Sequence, residues 1–224
     1  MKRSEKAKGL RKTLTDLFCL NIFRHEELVL IEKILADTSI KTETKIEVDF
    51  KLVQPNDFPE FASKFKKTHF PIDAEEFSKS GDMCIVAEAR GEIVNCIWVS
   101  LNENYVTEIE KKIRMPNSHS AYTYAANTDS EYRGLGIAPR TMEELFDYLH
   151  ERGIKRVFGL VRLSNFPALR YTQKTGFGKI GMIEFVKILK LKLYMCKGET
   201  EKDYNTLIEM LSTGEDRSKL QLIR

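Results

Sequence analysis

The sequence predicts an α/β fold in which a sheet is flanked by helices, and three observations support this. Segments with the spacing of strands and of helices alternate along most of the 224 residues. Two apolar runs divided by Arg90-Gly91-Glu92 are typical of a β-hairpin. Residues 120–163 have the pattern of a strand, a glycine loop, a helix and a second strand, which is the order of a βαβ unit.

The first 44 residues are predicted to form an extension with a basic start and helical or strand character. Apolar side chains at helical spacing predict a short amphipathic helix over residues 9–23. The next run, "EELVLIEKIL", fits either a continuation of that helix or a strand. From residue 45 apolar and charged residues alternate as in a half-buried strand, so we place the main domain at residues 45–197.

Within that domain, phenylalanines three and four residues apart predict a helix over residues 55–70, followed by a second helix over 71–80. The hairpin comes next. The polar residues 103–117 are interpreted as an excursion of helical character that Pro116 closes.

The second half begins with the Tyr-rich strand "SAYTYAANT", followed by a helix that runs from Pro139 to Gly153. A strand over "KRVFGLVRL" and a short helix ending before Gly176 come next. We predict one late strand in "VKILKLKLYM", and a charged tail, residues 198–224, with one helix through Tyr204 and Leu211.

Composition and charge argue against several classes of partner and binding site. The net charge of +3 argues against nucleic acid as the main partner, although the basic residues 1–12 fit either a solvated tail or contact with an anionic surface. The sequence has neither an apolar run of about 20 residues nor a signal-peptide core, so we expect a cytoplasmic protein without membrane insertion. The four cysteines and four histidines are scattered, which predicts no metal site.

The glycine loop lies in the stretch "EYRGLGIAPRTMEEL". At a strand–loop–helix junction free N–H groups converge and the helix dipole adds positive charge, so a phosphate group is a natural ligand. A P-loop is excluded because no Gly-Lys-Ser/Thr follows, and a dinucleotide fingerprint fails because Pro139 replaces its third glycine. A plain tight turn is the alternative.

Two signatures occur in order along this part of the chain. The first is Arg133-x-x-Gly136-x-Ala138, and the second comprises Asn165, Ala168, Gly176 and Phe177. Together they resemble the signatures of the GCN5-related N-acetyltransferases, the acyl-CoA N-acyltransferases. The resemblance implies a mixed, mostly antiparallel central sheet flanked by helices, the acyl-CoA N-acyltransferase fold. It also implies an enzyme that transfers an acetyl group from acetyl-CoA, without a metal, to a primary amine that attacks directly. A homodimer is compatible with it.

In that family the acetyl-CoA pyrophosphate lies on the glycine loop and the strand before it binds the pantetheine arm. The resemblance therefore implies cofactor-binding roles for the following residues: Ala126, Asn127, Thr128, Arg133, Gly134, Leu135, Gly136, Ile137, Ala138 and Asn165. One backbone N–H near Ala126 is the expected oxyanion donor. The alternative for Asn165 is a helix cap only, and Gly176 and Phe177 are expected to be structural.

The catalytic residues depart from the family pattern. The usual acid, a tyrosine seven residues after the Asn, is Thr172 here, and Tyr171 lies one residue early, so it either donates a proton or packs. Tyr122 and Tyr124 either hold a relay water or pack on the sheet. The strands that supply the general base in relatives contain no acid. Three carboxylates nearby in sequence are expected to be solvated: Glu88, Asp129 and Glu131.

The acceptor amine, a small molecule or a protein, is not specified by any motif. Residues 55–80 and 103–118 are the expected specificity segments, with His69, Tyr105 and His119 in or next to them. Cys84 and Cys96 are interpreted as buried thiols rather than nucleophiles. The alternative function is a coenzyme-A-binding sensor or interaction module with reduced catalysis.

Overall fold

The computed structural model describes residues 23–36, 41–65 and 79–212. The strands are β1 Phe23–Ile34, β2 Asp49–Val53, β3 Met83–Ala89, β4 Glu92–Ser100, β5 Glu103–Val106, β6 Lys111–Arg114, β7 Ser120–Thr128, β8 Arg156–Arg162, β9 Gly178–Ile188 and β10 Leu191–Gly198. The helices are α1 Phe58–Phe65, α2 Ile137–Glu151, α3 Phe166–Lys174 and α4 Glu201–Leu211. The predicted helix over 9–23 and most of the one over 71–80 lie outside the described residues.

Eight strands form one sheet in the order β10-β9-β1-β8-β7-β4-β3-β2, and β5 pairs with β6 in a separate ribbon. Every pair in the large sheet is antiparallel except β7 and β8, which run parallel because α2 connects them. The predicted mixed, mostly antiparallel sheet is therefore confirmed.

The run "EELVLIEKIL" forms most of β1, so the strand alternative is correct. This strand lies between β8 and β9, deep in the sheet. Leu28 and Leu30 pack on one face while Val29 and Ile31 pack on the other, which explains the continuous apolar run. We predicted a domain boundary between residues 44 and 45. Because β1 belongs to the large sheet, the sheet extends across that boundary.

Two other predictions were wrong. Residues 103–117 form the β5–β6 hairpin instead of a helical excursion, and only a few apolar residues, Val106, Ile109 and Ile113 among them, are buried beneath it. So sparse a pattern has neither strand nor helix periodicity. The late strand is in fact two strands, β9 and β10, which turn at Leu189 with a positive φ of 56°.

Helices and hairpin cover the sheet as two layers. The apolar side of α2, including Leu145 and Leu149, packs on one face. The other face is covered by α4, the β5–β6 hairpin and α1, whose Phe58 and Phe65 pack at a tilt against Trp98. No helix in the described part of the chain is long and apolar enough to span a bilayer.

Candidate active site

A cleft opens where β7 and β8 separate. Their parallel pairing covers only Ser120–Thr123 and Arg156–Gly159, although β7 continues to Thr128 and β8 to Arg162. Beyond that point β8 pairs with β1, and β7 stays paired with β4. The edge of β7 that faces β8 is therefore open, as strand-like binding of an extended ligand requires.

A β-bulge lies at the start of this open edge. Cys96 pairs with Asn127 but Trp98 pairs with Tyr124, so β7 contains one extra residue between them. Ala125 has a φ of +45°, in the left-handed region that β-bulges use and that alanine adopts at a cost. The bulge comes directly after the last part of β7 that pairs with β8.

Asn95 on β4 fixes the end of β7, a role that the sequence analysis missed. Its Nδ2 donates to the Asn127 carbonyl at 2.7 Å and to Thr128 Oγ1 at 2.8 Å. The side chain is 1% exposed. The signal in the sequence was a single amide within the apolar run "EIVNCIWVSL", because a buried amide needs polar partners.

The glycine loop joins β7 to α2. Gly134 and Gly136 have φ values of +75° and +81°, which glycine adopts without strain. The Leu135 carbonyl accepts from Lys45 N at 3.0 Å and the Gly136 carbonyl from Arg140 N at 3.2 Å. Within the described residues, no N–H of residues 134–138 donates a hydrogen bond outside the helix. The loop thus offers unpaired donors at a helix N-terminus, a cradle for an anion.

The missing side chain of Gly136 serves packing rather than a phosphate. A Cβ there would lie 2.5 Å from the Glu43 carbonyl oxygen, whereas at Gly134 nothing lies within 4 Å. The segment 41–46 is fixed against α2, since Thr42 N and Oγ1 both donate to the Glu143 carboxylate at 2.6 Å. Ligand access to the loop is therefore on the Gly134 side.

Arg133 and Asn165 flank the cleft. Arg133 Nε donates to the Thr128 carbonyl at 3.3 Å, so the guanidinium lies beside the loop. Asn165 caps α3, because its Oδ1 accepts from Ala168 N at 3.2 Å. This contact is the helix cap that we gave as the alternative role of Asn165. It leaves the Asn165 amide nitrogen without an acceptor among the described residues.

Tyr171 connects the two sequence signatures. Its hydroxyl donates to the Ala138 carbonyl at 3.1 Å, which attaches α3 to the first turn of α2. Burial raises the pKa of this hydroxyl, with a further contribution from Glu143. Thr172 is buried and donates to Leu169 O within the helix. The geometry favours packing over proton donation for Tyr171.

Tyr122 and Tyr124 stack on each other with ring centroids 5.9 Å apart. Tyr122 is fully buried, but the Tyr124 hydroxyl donates to Asp82 Oδ2 at 2.6 Å. Burial, and then the hydrogen bond to Asp82, raise the pKa of Tyr124. Asp82 is 6% exposed and was also missed from the sequence, because it precedes β3 as an ordinary turn acid.

The other candidate groups have structural roles. Glu88 is not solvated as predicted: it is 5% exposed and bonds Lys51 and Lys64 at 2.7 and 2.6 Å. Burial raises the pKa of the Cys84 thiol well above its usual value, and Cys96 beside it is equally buried, as expected for unreactive thiols. Among the described residues, no three Cys, His, Asp or Glu side chains are grouped as metal ligands.

Two cavities flank these elements. One, of about 760 Å³, lies beside Leu135 and is acidic, with Glu47, Asp49, Glu88 and Glu131 against Arg90, so it does not suit a pyrophosphate. The other, of about 750 Å³, lies beside the β5–β6 hairpin and is called the hairpin cavity. Its lining comprises Ser80, Leu101, Asn102, Glu103, Asn104, Tyr105, Lys112, Arg114, Met115, Asn117 and Ser118.

Solved structures with a similar fold include chains described as acetyltransferases. A GCN5-related N-acetyltransferase from Sphaerobacter thermophilus has a TM-score of 0.53 at 14% identity, over 80% of this chain and 56% of that one. A chain described as a GNAT-family acetyltransferase from Novosphingobium aromaticivorans has a TM-score of 0.49 at 17% identity, over 79% and 66%. This chain thus spans less than two thirds of either. No curated protein sequence matches it.

The family model described as the Acetyltransferase (GNAT) family matches residues 50–177, which is more than half of the chain. That span includes the β7 bulge, the glycine loop and the Asn165 signature. The chain therefore belongs to the GNAT family of acetyltransferases.

Proposed function

We propose that this protein is an acetyl-CoA-dependent N-acetyltransferase in which a primary amine attacks the thioester directly. The observation that carries the proposal is the set of N–H groups at residues 134–138 that find no acceptor in the described part of the chain, next to the open edge of β7. An anionic pyrophosphate and an extended pantetheine arm need these two features in this order.

Each part of the cleft has a role in this proposal. The loop N–H groups and Arg133 bind the pyrophosphate, and residues 126–128 bind the pantetheine as a neighbouring strand would. Acetyl-CoA supplies an activated acyl group. A backbone N–H at the β7 bulge, held rigid by Asn95, stabilises the negative charge that develops on the acyl oxygen. The amide nitrogen of Asn165 binds the arm from the other side, and a homodimer stays a prediction.

The first test is ligand binding. At 100 times the dissociation constant, acetyl-CoA should add about 2.7 kcal/mol to stability. For a chain of this size that is a rise of roughly 5–11 °C in melting temperature. Gly134→Trp should abolish the rise, because the indole fills the open side of the loop.

Gly153→Trp is the matched control. Gly153 has a φ of +79° and nothing within 4 Å of its missing Cβ, but it follows the opposite end of α2. The Gly153→Trp variant should have a somewhat lower melting temperature than the wild type, but acetyl-CoA should raise that temperature by the full amount. An unchanged wild-type melting temperature at saturating acetyl-CoA would contradict the proposal.

Thiol release with a panel of amines then separates the enzyme from the alternative. Turnover with at least one amine supports acetyl transfer. A thermal shift without turnover on any amine would instead favour the coenzyme-A-binding sensor. That alternative has one observation in its favour, since the position of the usual acid is Thr172 and Tyr171 donates to a backbone carbonyl.

A further inference from the structure

A buried carboxylate lies beneath the point where the cleft opens. Asp82 Oδ2 accepts from the Tyr124 hydroxyl at 2.6 Å, a length typical of a hydrogen bond to an ionised acceptor. The same oxygen lies 3.5 Å from Asn104 Nδ2. Asp82 N donates to Ser80 Oγ at 3.3 Å, which closes a small polar cluster of four residues.

This cluster joins the cleft to the hairpin cavity. Tyr124 directly precedes the bulge residue Ala125, at the position where β7 stops pairing with β8. On its other side, Ser80 and Asn104 line the hairpin cavity. The Tyr124 hydroxyl therefore connects the strand that borders the cleft, through Asp82, with two residues that line a cavity large enough for a small molecule.

The charge of the hairpin cavity suggests which amines it accepts. Glu103 is bonded to Arg114 at 2.6 Å, and Lys112 is a second cation of the lining, so the charged side chains sum to a net positive value. Amides and hydroxyls make up much of the remainder. Such a lining attracts an amine that also carries an anionic group and repels a polycation.

We propose that a small amine bearing a carboxylate or phosphate group enters through the hairpin cavity, and that Tyr124 takes its proton while passing its own to Asp82. This inference rests on the acetyl transfer proposed above. The amine nitrogen forms a bond to the acyl carbon, the carbon–sulfur bond breaks, and the proton moves from nitrogen to Tyr124 Oη. The Tyr124 proton moves to Asp82 Oδ2. Asp82 later releases this proton to solvent. A solvent proton also protonates the departing thiolate.

In this relay Tyr124 touches the substrate and is a catalytic residue, whereas Asp82 is a positioning residue and proton store. The raised pKa of Tyr124 fits this role, because the hydroxyl stays protonated until a base takes its proton. A carboxylate in contact with a partly buried tyrosine also replaces the acidic residue that both neighbouring strands lack.

The test compares kcat, KM and ligand binding in matched variants. Tyr124→Phe and Asp82→Asn should each lower kcat about 100-fold, the low end for general acid–base catalysis. KM for acetyl-CoA and its thermal shift should not change. Tyr194→Phe is the control, because it removes another buried hydroxyl, bonded to Ile109 O at 3.1 Å, without touching the cluster. Its kcat should equal that of the wild type.

Lys112→Glu tests the acceptor class. With β-alanine and phosphoethanolamine as anionic amines and putrescine as the cationic one, the wild type should prefer the first two. The variant should raise their KM about tenfold, which is equivalent to about 1.4 kcal/mol, because it reverses the sign of one charge in the lining. It should leave the acetyl-CoA shift intact.

The possible failures are distinguishable. A wild type that neither binds acetyl-CoA nor releases thiol overturns the proposed function and the relay together. A wild type that turns over while Tyr124→Phe keeps kcat within about threefold overturns the relay alone, and Tyr124→Phe decides this even if Asp82→Asn does not fold. A wild-type preference for putrescine overturns the acceptor class.

Discussion

The two loop glycines offer a direct test of how the cradle is built. Gly134 and Gly136 have nearly equal φ values, +75° and +81°, so an alanine at either position pays about 1–2 kcal/mol for the left-handed region. Only at Gly136 does the new Cβ also meet a neighbour, the Glu43 carbonyl oxygen at 2.5 Å. Overpacking of that kind adds about 1–3 kcal/mol.

Gly134→Ala should therefore cost about 1–2 kcal/mol and Gly136→Ala about 2–5 kcal/mol. At roughly 2–4 °C per kcal/mol for a chain of this size, Gly136→Ala should melt about 2–12 °C below Gly134→Ala. Differential scanning fluorimetry without ligand measures both in one experiment. Equal melting temperatures would refute the reasoning, because they would mean that segment 41–46 does not pack on the loop.

Three further variants test single contacts. Tyr171→Phe should lower the unfolding free energy by about 1 kcal/mol, because it loses the hydrogen bond to the Ala138 carbonyl. Its kcat should stay within about threefold of the wild-type value, since the hydroxyl packs rather than donates a proton in the reaction. A 100-fold loss of kcat would instead identify Tyr171 as the acid. Lys187, then Lys192, lower the pKa of Glu110 to about 2. The stability that this carboxylate adds, about 1 kcal/mol after solvent screening, is present above pH 4.5 and is lost as the pH falls towards 2. Urea titrations of wild type and Glu110→Gln should converge over that range. Ala125→Gly should change the unfolding free energy by no more than about 1 kcal/mol, on the stabilising side, because relief of the positive φ exceeds the entropy cost of glycine; a clear loss of stability in urea would contradict this.

Local patterns were enough to predict most of the fold. A strand in the period-two run at 45–53, the hairpin around Gly91 and the helix between Pro139 and Gly153 were all predicted from residue spacing, since each buries one regular face. The strand itself covers only Asp49–Val53 of that run. The β5–β6 hairpin was not, because its few buried residues follow no period. The placement of β1 between β8 and β9 depends on pairing with residues more than 120 positions away, which no local pattern encodes.

The residues of the candidate site likewise fall into those that local sequence identifies and those that act through distant contacts. Glycines at 134 and 136 could be identified from the sequence as the proposed anion cradle, because a positive φ is a local property that glycine adopts without strain. Asp82 and Asn95 act through tertiary contacts with β7, so their sequence neighbourhoods show only a turn acid and a strand amide. The predicted solvated role of Glu88 was wrong for the same reason, because its two lysine partners come from β2 and α1.

The segment 41–46 lies between β1 and β2 and forms no strand, but it holds the glycine loop in place. Lys45 N holds the Leu135 carbonyl, and Glu43 occupies the space behind Gly136. Both contacts lie on the side of the loop that faces segment 41–46. The N–H groups of residues 134–138 therefore remain available on the opposite side of the loop. The open donors of the cradle are thus a consequence of packing by a distant segment, and glycine at 136 is required by that segment before any ligand binds.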